Sequence, residues 1–322
     1  MKLILPDLKY KTILVVGDIM LDRYFHGSIN KISSEADAPV IKIKNINYIP
    51  GGAANVAMNI ASIGANVKLF GLLGIDYAAN IIKNKLKKNH VDYNFIQSIK
   101  FKTIIKTRVL SLNKQLIRLD CEKKYKNIHY NNLLLENIRK IISNINIIVF
   151  SDYNKGTLCN IQSMIKLANL SKIPVIIDPK GKNYEKYSGA TLLTPNLTEF
   201  ELVVGKCNSE KELVNKGLNL ILRYNINSLL VTRSEHGMSL IQKNKKPIHF
   251  KSQANQVLDV TGAGDTVIGV LSAFLVQDKI SLEDSCFLSN MAASIAVSKF
   301  GTATVSFDEL KNLIKENFDK HQ

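Results

Sequence analysis

The sequence lacks most of the features that would assign a chain of this length to a class at once. Its four cysteines, Cys121, Cys159, Cys207 and Cys286, lie far apart and form no Cys-x-x-Cys pair. That argues against a zinc centre or a disulfide frame and fits a reducing compartment. No apolar run reaches the roughly eighteen residues of a membrane span, and the N-terminal run breaks at Pro6 before a signal-peptide core could form. A soluble cytoplasmic protein with no membrane partner is the expectation. None of the six histidines is spaced as a metal pair, and no internal repeat or low-complexity linker is evident. No Gly-x-x-x-x-Gly-Lys-Ser/Thr string occurs, which excludes a P-loop. Acidic residues are few, 27 against 43 Lys and Arg, for a net charge of +16. Such a surplus first suggests nucleic acid. The lysines, however, are spread along the chain, with only short runs such as Lys243 to Lys246, and no nucleic-acid motif accompanies them. Small anionic substrates are a sufficient partner for a basic surface.

What is present reads as an α/β protein. Hydrophobic residues make up 46% of the 322 and charged residues 22%, enough for a large core, and α/β folds of this size often form one domain. Thr12 to Val16 is a nearly continuous apolar run ending in Gly17-Asp18, the mark of a buried parallel strand. Ligands of open α/β sheets sit beyond the carboxyl ends of the strands, so Asp18 and Asp22 are either site residues or turn residues. Val40 to Lys44 alternates apolar and charged, as does a second region from Thr103 to Asp120 with a turn at Asn113-Lys114. Together, about 22–50 and 103–120 predict one small antiparallel sheet standing off the main body as a lid. Between them, Ala53, Ala54, Ala57 and Ala61 predict a helix that packs closely on the sheet, entered through Gly51-Gly52.

Strand and helix patterns then alternate, as in a doubly wound sheet. Four predicted strands end in polar loops: Ser151 to Gly156, Asp178 to Gly181, Pro195 to Glu199 and Thr232 to Gly237. One such end is ordinary loop chemistry; four in series suggest a shared site. Ser306 onward predicts a terminal amphipathic helix.

The stretch Asp259 to Thr266 leads into the apolar segment Val267 to Leu275. Gly262 and Gly264 let the backbone turn sharply and let a ligand approach. The first amides of the following helix suit a phosphate or a developing oxyanion. A carboxylate at that spot, Asp265, would repel the anion unless it served to take a proton from an attacking hydroxyl. The bland alternative is a glycine-rich turn with an ordinary first-turn Asp.

The string Asp-x-Thr-Gly-Ala-Gly-Asp-Thr resembles the C-terminal signature of the ribokinase-like (PfkB) carbohydrate kinases. Gly51, Gly52, Asn55, Ala57, Gly64 and Gly74 resemble the N-terminal signature of the same family. The resemblance covers nearly the whole chain and implies a ribokinase-like fold: a doubly wound, mostly parallel sheet flanked by helices, with a β-sheet lid often used as a homodimer interface. It implies ATP as phosphoryl donor and Mg2+ as cofactor. Asp265 would be the base, with the Gly262, Ala263 and Gly264 amides on the transferring group. Asn196-Leu197-Thr198-Glu199 is similar to the family motif that organises magnesium, although the same residues also read as a helix N-terminus. Thr232 to Gly237 looks like the nucleotide loop, and Asn290 falls on what resembles the helix bordering adenine. Asp22, Gly51, Gly52 and Asn55 would hold the sugar. Asp259 and Thr261 are similar to a loop that holds a monovalent cation, K+, in some members.

Within the family, Val16 to Tyr24, Pro50 to Gly64, Gln115 to Asp120, Thr194 to Phe200 and Val231 to Gly237 resemble the branch that phosphorylates a heptose 7-phosphate. A sugar already carrying a phosphate needs a cationic clamp, for which Arg108 and Lys180 are the candidates, with Arg118 and Lys155 behind them. In many members of that branch a nucleotidyltransferase domain follows. No His-x-Gly-His string occurs here, so the expectation is one kinase domain over 1–322 and no adenylyltransferase. The alternatives are another sugar or sugar-phosphate kinase and a non-catalytic sugar-phosphate sensor. The intact Asp265 and its glycine turn argue against the sensor.

Overall fold

A computed structural model describes residues 6–319 except 113, 126, 127 and 255. Asn113 of the expected lid turn therefore lies outside the described residues. The chain opens with β1 (Thr12–Gly17), β2 (Ile19–Ile32), β3 (Pro39–Gly52), α1 (Ala53–Ser62), β4 (Asn66–Gly74), α2 (Tyr77–Lys88) and β5 (Asp92–Ser98). It continues through β6 (Ile104–Ser111), β7 (Lys114–Cys121), α3 (Ile128–Ile141), β8 (Ile147–Ser151), α4 (Ile161–Leu170), β9 (Val175–Asp178) and β10 (Leu192–Leu193). Then come α5 (Leu197–Val204), α6 (Glu210–Arg223), β11 (Ser228–Thr232), β12 (Met238–Gln242) and β13 (Ile248–Phe250). Three helices finish the chain: α7 (Ala263–Leu275), α8 (Leu282–Val297) and α9 (Phe307–Asp319).

Nine strands form the main sheet in the order β13-β12-β11-β10-β9-β8-β1-β4-β5. From β11 to β5 all neighbours are parallel; β12 and β13 add an antiparallel edge. Alternation along β1 explains the two-sided core. Ile13 and Val15 join α1, α7 and α8 on one face, while Leu14 and Val16 join α3, α4 and α6 on the other. Each fully buried aliphatic side chain contributes about 1.5–3 kcal/mol relative to exposure, so a sheet apolar on both faces is held only with helices on both. Ala53, Ala54 and Ala57 are fully buried, and their small size brings α1 close to the sheet.

The second sheet has the order β3-β2-β6-β7. It spans the two segments expected for the lid, but it is not purely antiparallel: β2 and β6 pair in parallel across its centre, with Asp22 opposite Lys106 and Tyr24 opposite Arg108. Alternation within each strand reports which side faces out and carries no information on the direction of a partner far along the chain, which is why the sequence pattern missed this. Among the described residues no helix is long and apolar enough to cross a membrane.

Candidate active site

The carboxyl ends of β8, β9, β10 and β11 and the N-terminus of α7 converge on one cleft. Asp152, Tyr153, Asp178, Lys180, Asn196, Glu199, Thr232, Gly262, Gly264 and Asp265 line it. Asp265 stands in the first turn of α7 and is only 5% exposed. The Asn55 amide of α1 donates to its Oδ2 at 2.8 Å, and the Tyr153 hydroxyl donates to its Oδ1 at 2.9 Å. Burial pushes the Asp265 carboxyl up to about 7, against the opposing pull of these two donors. A carboxyl near 7 is matched to general-base work at neutral pH.

The glycines around it have separate reasons. Gly262 caps α7 in the left-handed region at φ 82°, and a Cβ there would stand 2.8 Å from Asn55 Nδ2 and 2.9 Å from a Thr302 methyl. Gly264 has open space where its Cβ would be. The helix has no side-chain cap. The Ala263 amide donates to the Val260 carbonyl at 3.2 Å, and the first intrahelical bond runs from Thr266 to Gly262 at 2.9 Å. The Gly264 and Asp265 amides stand between them, at the mouth of the cleft. Gly51 has no room for a side chain because Asp22 fills it, and Gly52, at φ 60°, packs on the Asp18 carbonyl.

Asp22 is buried at the root of the lid. Its Oδ1 accepts from Arg108 Nη1 at 2.5 Å, and its Oδ2 from the Thr302 hydroxyl at 3.3 Å. The Arg108 guanidinium also lies over the Tyr24 ring, 5.2 Å from its centroid. Across the cleft, Asn196 and Glu199 form a reciprocal cap on α5. Glu199 N–H donates to Asn196 Oδ1 at 2.9 Å, and Asn196 N–H to Glu199 Oε2 at 3.1 Å. Leu197 and Thr198 are the first residues of that helix. The remaining Glu199 oxygen pairs with Lys180 Nζ at 2.5 Å. Asp178 lies beside them, its carboxyl raised well above the usual range by burial and then by the charge of Glu199.

The chain matches the description "pfkB family carbohydrate kinase" over residues 11–309. The chain belongs to the pfkB family of carbohydrate kinases. It is 52% identical over 319 residues to the bifunctional protein HldE of Escherichia fergusonii, covering 99% of this chain and 66% of the relative. The same figures hold for HldE of Escherichia coli, so the chain spans 66% of the length of these curated relatives. Among solved structures, the ribokinase of Arabidopsis thaliana complexed with ribose and ATP has a TM-score of 0.76 at 21% identity, covering 95% of this chain and 99% of that one. Phosphofructokinase-2 of Escherichia coli, solved with potassium, gives 0.79 at 17% identity with 95% and 99% covered. At those identities the likeness shows the ribokinase-like fold alone. Together with the family match, the chain is an ATP-dependent carbohydrate kinase.

The residues singled out from the sequence fall in two groups. Gly262, Gly264, Asp265, Asn55, Asn196, Glu199, Thr232 and Lys180 meet at the cleft or touch a residue that lines it. Others are held elsewhere. Asn290 donates to the Lys251 carbonyl at 2.7 Å and anchors the chain after β13. Gly237 closes the turn between β11 and β12, where Arg233 N–H meets its carbonyl at 2.7 Å. Asp259 accepts from the Thr261 and Gly301 amides at 2.9 and 3.0 Å. Lys155 pairs with Glu122 and Arg118 with Asp120. Sequence reasoning gave no role to Tyr153, Asp152 or Asp178, although all three sit in the strand-end loops that it singled out. Asp18 proves to be neither a cleft residue nor a simple turn: it accepts the Tyr153, Lys155 and Thr157 amides at 3.0, 2.9 and 3.0 Å and so fixes the loop carrying Tyr153.

Proposed function

We propose that this kinase transfers the γ-phosphoryl group of ATP to the anomeric hydroxyl of D-glycero-β-D-manno-heptose 7-phosphate, giving the 1,7-bisphosphate, a step of ADP-heptose synthesis for lipopolysaccharide. The observation that carries the reaction type is Asp265, a buried carboxyl near neutrality between two neutral donors at an uncapped helix N-terminus. The observation that supports the sugar is 52% identity to HldE along 99% of the chain, added to the longer strings that resemble heptose-phosphate kinases.

Asp265 accepts the proton of the sugar hydroxyl as it attacks. The first-turn amides of α7 face the charge on the transferring group, a preorganised form of stabilisation. Asp22, Gly51, Gly52 and Asn55 form the sugar side. The cleft's hard oxygen donors fit Mg2+, which takes one or two carboxylates along with substrate phosphates. Glu199, Asn196 and Asp178 would hold it directly or through water. Among the described residues no cage of three or more metal-binding side chains forms, which suits an ion shared with the nucleotide. When bound, Mg2+ would neutralise charge on the phosphates. K+ would belong to the Asp259 loop.

Arg108 and Lys180 are the proposed clamps, and their positions separate them. Arg108 stands at the lid root on Asp22, beside the sugar side, whereas Lys180 stands on Glu199, beside the nucleotide side. Exposed Ile43, Ile46, Ile117 and Leu119 on the lid support a homodimer through that sheet. ATP consumption across a panel of phosphorylated sugars tests the substrate. The heptose 7-phosphate is expected to give the highest kcat/KM; a pentose or hexose phosphate preferred by tenfold would refute it.

A further inference from the structure

We infer that Tyr153 is a positioning residue for the base: its hydroxyl, together with the Asn55 amide, fixes the Asp265 carboxylate and favours its ionised form. The inference rests on the proposal that Asp265 takes the proton. Each carboxylate oxygen has one protein donor, Tyr153 Oη on Oδ1 at 2.9 Å and Asn55 Nδ2 on Oδ2 at 2.8 Å. A carboxylate has about four acceptor positions, so two donors set its plane and leave acceptor capacity for a substrate hydroxyl.

The hydroxyl is itself held from several sides. Asp18 takes the amides of residues 153, 155 and 157, and the Lys155 carbonyl accepts from Tyr125 N–H at 2.9 Å. The Tyr153 ring packs near Gly52, where a Cβ would come 3.4 Å from Cε2. Few ionisable groups compete for Asp265. Asp22 acts on it from β2 and is itself paired with Arg108 of β6. Asp178 lies at the end of β9, next to Glu199 and Lys180. Burial first, then the charge of Asp265 itself and of Asp178 and Asp22, raises the Tyr153 phenol well above its ordinary value, so it remains a neutral donor. A hydrogen bond to a charged group favours that charged form, opposing the burial that would otherwise protonate Asp265.

The test is the pH profile of kcat/KM for sugar phosphate in Tyr153→Phe, which keeps the ring and removes only the hydroxyl. The midpoint of the acidic limb should move up by about one pH unit, the size expected for losing a charge-assisted hydrogen bond. Activity at pH 6 should then fall by about tenfold relative to wild type, with little change above pH 8.5. 3-Fluorotyrosine at position 153, a stronger donor of nearly the same shape, should move the midpoint down. Equal loss at every pH, or a midpoint unmoved in both proteins, overturns the role of Tyr153 while leaving Asp265 as base. Asp265→Asn is assayed in parallel, and near wild-type turnover there would overturn the base and this inference together.

Discussion

Replacing Asp265 by Asn should stabilise the fold at neutral and alkaline pH while lowering turnover by orders of magnitude. In the folded protein the Asp265 carboxyl titrates near 7 because it is buried, whereas its ordinary value is 3.8. Between those two values the folded state keeps a proton that the unfolded chain has released. Stability from this group is therefore fully present below about pH 4 and is lost as pH rises to about 7. A displacement of about three units corresponds to on the order of 4 kcal/mol. Asn has nearly the same shape, can still accept from Asn55 or Tyr153, and never ionises. The variant should match wild type near pH 3 and exceed it by several kcal/mol at pH 8, with most of the divergence between about pH 4 and 7. Urea unfolding of both proteins at half-unit pH steps measures the difference. Most contributions from other titrating groups, Asp18 and Asp178 among them, cancel in it. A difference that stays flat from pH 5 to pH 8 would show that Asp265 is an ordinary carboxylate and would remove the physical basis for calling it the base.

Four further outcomes follow from the same geometry. Arg108→Ala should raise KM for the heptose phosphate strongly and leave KM for ATP nearly unchanged, with Arg108→Lys rescuing only part because an ammonium cannot fork onto a phosphate; an unchanged sugar KM would move the clamp elsewhere. Gly264→Ala should raise Tm slightly, since Ala is better than Gly in a helix by about 1 kcal/mol and the space is open, yet lower kcat by filling the cleft mouth. Gly262→Ala should instead lower both, through its positive φ and the collision with Asn55; a Gly262→Ala protein as stable as wild type would contradict the packing described. Asp18→Asn, which puts an NH2 against one of three backbone amides, should cost about 1–3 kcal/mol and reduce kcat as the Tyr153 loop loosens, read by thermal unfolding and steady-state assay.

Much of the fold was legible because its signals are local. The apolar run of β1, the small residues of α1 and the turn from Gly262 into α7 each follow from contiguous sequence and stand where expected. The place of Asp265 at the head of α7 was legible for the same reason. What escaped depends on partners far along the chain. Asp22 meets Arg108, 86 residues away, and Tyr153 meets Asp265, 112 residues away. No periodicity encodes those pairings. Asp18 illustrates the limit well: as a residue after a strand it suggested a ligand or a turn, and only the curl of residues 153–157 around it makes it a buried clamp. The parallel pairing of β2 with β6 was likewise a matter of chain path.

The central claim is that Asp265 takes a proton from a sugar hydroxyl during phosphoryl transfer from ATP. Single-turnover and steady-state assays of Asp265→Asn with heptose 7-phosphate, alongside ATP binding to the same protein by calorimetry, test it most directly. The account predicts kcat lower by about 10²–10⁴ with ATP affinity little changed. Turnover within a few-fold of wild type, by a variant that binds ATP normally, would contradict it.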